Sequence, residues 1–167
     1  KIGKKVKLIT CPTNDLKKEL KLKNIFNEKK LKFLPDAILS SKKIITSRIK
    51  YDMNSHFKKS KRIILSVGRL TKQKNFSYLI DEFRKFNMIN EDYSLYIIGE
   101  GEEREKLENK INQNNLQNKV YLLGHKKNVF AYMKKSEIFI LSSLWEEVGF
   151  AMVEASMCNT YIISSDC

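Results

Sequence analysis

Two carboxylates near the C-terminal end of this 167-residue chain have a spacing suited to holding hydroxyls. Glu146 and Glu154 lie in Trp145-Glu146-Glu147-Val148-Gly149-Phe150-Ala151-Met152-Val153-Glu154-Ala155, with seven residues between them. The apolar run Ile138-Phe139-Ile140-Leu141 precedes them. Between the acids, the sequence reads as a glycine turn entering an apolar helix. A carboxylate in the turn and another two helical turns on can face one pocket. Ionised carboxylates accept hydrogen bonds, and paired hydroxyls are what a sugar or a ribose offers. Two solvated surface acids would show the same spacing, so the rest of the chain must decide.

Cations occupy a second loop. Gly68-Arg69-Leu70-Thr71-Lys72-Gln73-Lys74-Asn75 follows the apolar stretch Arg62-Ile63-Ile64-Leu65-Ser66-Val67. Gly68 permits a tight turn. Arg69 and Lys74 can converge on one anion with a helix N-terminus behind them, a combination suited to a diphosphate. Taken alone, the loop is equally a basic surface loop. Gly99-Glu100-Gly101 is no dinucleotide fingerprint, because Arg104 stands in the third glycine's place. Gly101 is expected to allow the turn into the next helix. In Gly124-His125-Lys126-Lys127-Asn128, Gly124 lets a flat base approach the backbone, and His125 either contacts a ligand or is simply solvated. Gly149 and Phe150 place backbone N–H groups at a helix start, again suited to phosphate. Cations for a diphosphate and carboxylates for hydroxyls together describe a nucleotide-sugar.

Alternating elements must position these loops. The pattern predicts strands over residues 62–67, 93–98, 120–123, 138–141 and 160–164. It predicts helices after Asn75, over 102–114, 128–135 and 149–157. Asn75 is expected to cap the helix carrying Phe76, Leu79, Ile80 and Phe83. Short apolar strands alternating with helices imply an α/β fold, a Rossmann-like parallel sheet with helices on both faces. In such sheets ligands sit beyond the C-terminal ends of the strands, where the candidate residues fall. The first sixty residues are less regular. They predict a strand over 6–10, a helix capped by Asn14 or Asp15 and running to about Asn24, a strand over 31–34, and a linker over 38–57.

Composition sets bounds. The chain is 42% hydrophobic and carries a net charge of +13. Such charge attracts phosphates, but the lysines are spread, which reads as general enrichment rather than a polyanion groove. No run approaches the roughly 18 apolar residues of a membrane helix, and no signal peptide is visible. Three cysteines, Cys11, Cys158 and Cys167, without a pairing pattern suggest a reduced, cytoplasmic chain. No metal-ligand spacing is present, so no metal site is expected.

Residues 61–166 resemble the C-terminal domain of a GT-B retaining glycosyltransferase of the family 4 type. The resemblance rests on Ser66-Val67-Gly68-Arg69-Leu70 with Lys74, Ile98-Gly99-Glu100-Gly101 with Leu107, and Leu123-Gly124. It rests further on Ser143-Leu144-Trp145-Glu146 and on Val153-Glu154-Ala155 with Cys158. It implies roles. Arg69 and Lys74 bind the donor diphosphate and stabilise its charge as it leaves, and Glu146 holds donor-sugar hydroxyls. Glu154 holds the ribose diol. Gly149, Phe150 and Ala151 offer backbone N–H groups to phosphate, and Gly68, Gly124 and His125 complete the donor site. The donor is a UDP- or GDP-sugar and no metal or other cofactor is needed. The acceptor is a saccharide or lipid-linked molecule in surface polysaccharide or glycolipid synthesis, with peripheral contact to an anionic membrane and no nucleic acid.

Some residues depart from the family pattern: Lys74-Asn75 where Lys-Gly is usual, Glu146-Glu147-Val148-Gly149 for Glu-Gly-Phe-Gly, and Ser142 where proline is common. Glu147 is expected to point outward. Residues 1–60 are read as a remnant of an N-terminal domain with the crossing segment. Residues 61–167 are read as the donor-binding domain, incomplete at its C-terminus, so that the chain is a fragment inactive alone. The alternatives are another GT-B enzyme such as a nucleotide-sugar 2-epimerase, or a non-enzymatic basic nucleotide- or polyanion-binding module.

Overall fold

The computed structural model describes residues 6–24, 26–34, 57 and 62–167. The chain divides into two compact units, Lys1–Leu39 and Ser40–Cys167. In the first, strand β1 (Ile9–Cys11) pairs in parallel with β2 (Leu31–Phe33), joined through helix α1 (Asn14–Leu22). The cap of α1 is Thr13, one residue before the expected pair. Its extended backbone turns the hydroxyl toward the Leu16 N–H, which it accepts at 3.1 Å. The linker expected over 38–57 lies outside the described residues except for Phe57, whose ring is buried edge-on against Tyr96 and Tyr132.

The second unit is a five-stranded parallel sheet. Its strands are β3 (Arg62–Val67), β4 (Tyr93–Ile98), β5 (Val120–Gly124), β6 (Ile138–Leu141) and β7 (Tyr161–Ser164), in the order β5-β4-β3-β6-β7. Successive strand residues point to opposite faces, and both faces are buried. Ile64, Leu95 and Ile97 pack with helices α2 (Phe76–Asn87) and α3 (Arg104–Gln113). Leu65, Tyr96 and Ile98 pack on the other face with α4 (Val129–Lys135), α5 (Phe150–Ser156) and Phe57. This is why β4 carries no exposed position at all. On α2, Phe76, Leu79, Ile80 and Phe83 are buried, each contributing about 1.5–3 kcal/mol relative to exposure.

Strand β3 pairs with β4 on one side and β6 on the other. The strand order therefore reverses at β3/β6, and the C-terminal ends of these two strands flank the switch point where ligands of open α/β sheets bind.

Candidate active site

The two loops at that switch point are bonded to each other. After β3 the chain runs Gly68 to Asn75, and after β6 it runs Ser142 to Gly149. The Leu144 N–H donates to the Gln73 carbonyl at 2.8 Å, and the Gln73 side-chain amide donates to the Trp145 carbonyl at 2.9 Å. The Ser142 hydroxyl donates to the Lys74 carbonyl at 2.8 Å. A proline, common here in the resembling family, lacks the hydroxyl for that bond. At the centre, the Lys74 ammonium pairs with Glu146 Oε1, with side chains only 15% and 13% exposed. The fold thus brings together two residues 72 apart in sequence.

The glycines act differently from expectation. Gly68 has no positive φ. It makes room: a Cβ there would come within 3.1 Å of Lys74 Cδ and Cε, so the absent side chain is the lane for the lysine stem. Gly101 likewise has no positive φ, and a Cβ would lie 2.4 Å from the Leu70 carbonyl oxygen. It therefore serves close approach to the β3 loop, while its carbonyl accepts from the Arg104 N–H at 3.1 Å in the expected turn into α3. That approach is cemented by the Leu70 N–H donating to Glu100 at 2.9 Å and the Glu103 N–H donating to Leu70 at 2.9 Å. Gly124 has φ +72, and the space a Cβ would need is taken by the Glu100 carboxylate at 2.8 Å, itself bound by Arg104. Asn75 supplies no side-chain cap to α2. Its backbone is left-handed at φ 54, a conformation asparagine tolerates, which explains how it replaces the family's glycine.

The other candidates lie around the pair. Arg69 and His125 are exposed, and neither side chain makes a hydrogen bond or ion pair among the described residues. Gly149 precedes α5 in a left-handed conformation (φ 67), and no side chain caps the helix. Phe150 is exposed, while Ala151 packs into the core of that face. Glu154 is half-buried on α5, its carboxylate has no hydrogen-bonding or ionic partner among the described residues, and burial raises that carboxyl above the ordinary value. Glu147 points to solvent, as its charge demands. Ser143, which the sequence did not single out as a functional residue, donates to Glu146 Oε1 at 2.5 Å. The two residues are three apart in the same loop, so the Ser-x-x-Glu spacing is the signal that could have found the contact.

A doubly covered parallel sheet with an ammonium–carboxylate pair at its switch point defines a Rossmann-like domain with opposite charges at the sheet edge where such folds bind ligands. Residues 47–167 match the family "Glycosyl transferases group 1", and the chain belongs to that family. It is 43% identical over 105 residues to an uncharacterized glycosyltransferase of Methanocaldococcus jannaschii, covering 63% of this chain and 26% of that protein. It is 37% identical over 105 residues to the N-acetylgalactosamine-N,N'-diacetylbacillosaminyl-diphospho-undecaprenol 4-alpha-N-acetylgalactosaminyltransferase of Campylobacter jejuni, covering 63% of this chain and 28% of that one. In fold it resembles Anabaena Alr3699/HepE in complex with UDP and glucose, with a TM-score of 0.75 at 15% identity, covering 97% of this chain and 45% of that chain. The chain thus spans about a quarter of the length of these curated relatives. The family favours the transferase reading over the epimerase and polyanion-module alternatives.

Proposed function

We propose that residues 61–167 form the donor-binding domain of a retaining glycosyltransferase of the family 4 type, which moves a sugar from a UDP- or GDP-sugar to a saccharide or lipid-linked acceptor. The observation that carries this reading is the Lys74–Glu146 pair at the β3/β6 switch point. A cation there suits a leaving diphosphate, and a carboxylate beside it suits sugar hydroxyls. The Campylobacter relative, named for transfer to a diphospho-undecaprenol acceptor, supports the lipid-linked class. The Anabaena structure, with UDP and glucose bound, supports the donor class.

In this reading, Arg69 and Lys74 neutralise the diphosphate as the bond to the sugar breaks. Preorganised donors of this kind lower barriers by several kcal/mol, on the order of 3 for one donor. The two cations stand in for a divalent metal. Glu146 accepts from the donor sugar, Glu154 from the ribose diol, and the N–H groups of Gly149, Phe150 and Ala151 meet phosphate oxygens. Gly68 clears the lysine stem, and Gly124 and His125 border the base. Residues 1–60 belong to the N-terminal domain and crossing segment, and residues 1–167, which span about a quarter of the curated relatives' length, do not turn over alone. The enzyme works in the cytoplasm, peripheral to the inner membrane face. Among the described residues no helix is long and apolar enough to cross a membrane.

Calorimetric titration with UDP, GDP and ADP species tests the reading. The folded chain should bind at least one nucleotide, and Glu154→Ala should weaken it by about 1–3 kcal/mol, the cost of lost charged hydrogen bonds. A folded chain that binds none of them overturns it.

A further inference from the structure

We infer that Ser143 is a positioning residue that aims Glu146 at the donor sugar, an inference that rests on the nucleotide-sugar reading. Ser143 follows β6 by two residues and is 2% exposed. A hydroxyl has a single proton to donate, and this one goes to Glu146 Oε1 at 2.5 Å. The Lys74 ammonium meets the same oxygen. Two donors of different kinds, from different loops, therefore grip Oε1. Glu146 Oε2 has no partner among the described residues, nor is it one of the fully buried polar atoms left unpaired, so it keeps some access to solvent.

The consequence is a division of labour within one carboxylate. Oε1 is the anchor and Oε2 is the open acceptor. Lysine alone does not settle which way the carboxylate turns, because an ammonium is a compact charge on a flexible stem. The serine fixes it, because its own backbone is fixed. The Ser165 hydroxyl donates to the Ser143 carbonyl at 2.6 Å, and Ser142 is tied to Lys74. When a diphosphate draws the ammonium toward itself, Ser143 still holds Oε1, and Oε2 keeps its aim at the sugar.

The test compares UDP with UDP-glucose, and GDP with GDP-mannose, on the full chain and its S143A, S143T and S165A variants. S143A should weaken binding of the nucleotide-sugar about tenfold, as for one lost hydrogen bond to a charged group, and leave the nucleotide diphosphate within about twofold. S143T, which keeps the hydroxyl, should recover most of the loss. S165A, which loosens the backbone holding Ser143 but leaves its hydroxyl in place, should separate the two ligands in the same sense as S143A, by less. Equal weakening of both ligands by S143A means a merely structural role and overturns the inference. Should S143A fail to fold, S143C keeps the volume with a poor donor and carries the same comparison. Side-chain couplings of Glu146 measured by NMR without ligand give an independent readout. One rotamer should become several in S143A, and an unchanged single rotamer overturns the inference. If the unaltered chain binds neither sugar nucleotide, the donor reading falls, and these couplings alone decide whether Ser143 holds Glu146.

Discussion

Replacing Lys74 by methionine removes a charge while keeping the length of the stem in the lane that Gly68 leaves open. Its partner Glu146 is then a carboxylate with only 13% of its side chain exposed and one remaining donor, Ser143. Breaking a fully buried ion pair from one side costs about 3–5 kcal/mol. The residual exposure and the serine bond reduce that here to about 2–3 kcal/mol. Glu146→Gln keeps the shape and an acceptor oxygen, so it should cost less, about 1–2 kcal/mol. The double variant leaves no charge stranded. Its cost should fall short of the sum by a coupling of about 1–2 kcal/mol. Urea unfolding of the four proteins, followed by circular dichroism at one pH and salt concentration, reads these values directly. Costs that add within about 0.5 kcal/mol would show that the two side chains do not act as a pair, and the reasoning about the site would fail.

Other perturbations probe different parts of the structure. Glu154 is raised by burial, and a ribose diol prefers the ionised form. Nucleotide affinity should therefore be full above that raised value and fall as pH drops through it, whereas Glu154→Gln should bind more weakly with a flatter profile in a calorimetric pH series. At the opposite end of the sheet, hydrogen bonding from Arg62 holds the Glu137 carboxyl below its ordinary value, with the Tyr93 hydroxyl also donating. Its stabilising contribution is present above the usual carboxylate range and is lost as pH falls through the lowered value, so Glu137→Gln should flatten the acid limb of a stability–pH curve. Gly99→Ala should destabilise by about 1–3 kcal/mol from backbone strain alone, because φ is +148 and the new Cβ would sit 1.8 Å from the Gly68 carbonyl oxygen. That collision pushes on the cation loop, so nucleotide affinity should fall in the same variant.

The sheet was readable in the sequence because its strands are short apolar runs buried on both faces. Arg62–Val67, Tyr93–Ile98 and Ile138–Leu141 fall where the pattern places them. Helix α2 was readable for a related reason, since Phe76, Leu79, Ile80 and Phe83 share one face. What the pattern misread was local chemistry decided by a distant neighbour. Gly68 and Gly101 look like turn residues, yet their smallness matters because Lys74 and the Leu70 carbonyl press against them. Asn75 looks like a side-chain cap, yet it acts through a left-handed backbone. The ends of α1 shifted because Thr13, not Asn14 or Asp15, has its hydroxyl in line with the first turn. In the site, charge type and spacing marked Lys74 and Glu146, since a cation and a carboxylate are conspicuous after strands. Ser143 carried a weaker mark: a serine beside a strand has many uses, and its one signal was the three-residue spacing to Glu146 in the same loop.

The most direct test of the account maps where a sugar nucleotide touches the molecule. Backbone amide shifts of the isotopically labelled chain, followed while UDP-glucose or GDP-mannose is added, should move in three stretches: residues 68–75, 124–125 and 143–154. The change at 143–154 should disappear in Glu146→Gln and Glu154→Gln. Shifts scattered over the lysine-rich surface and insensitive to those two substitutions would contradict the claim that the β3/β6 switch point is a donor site.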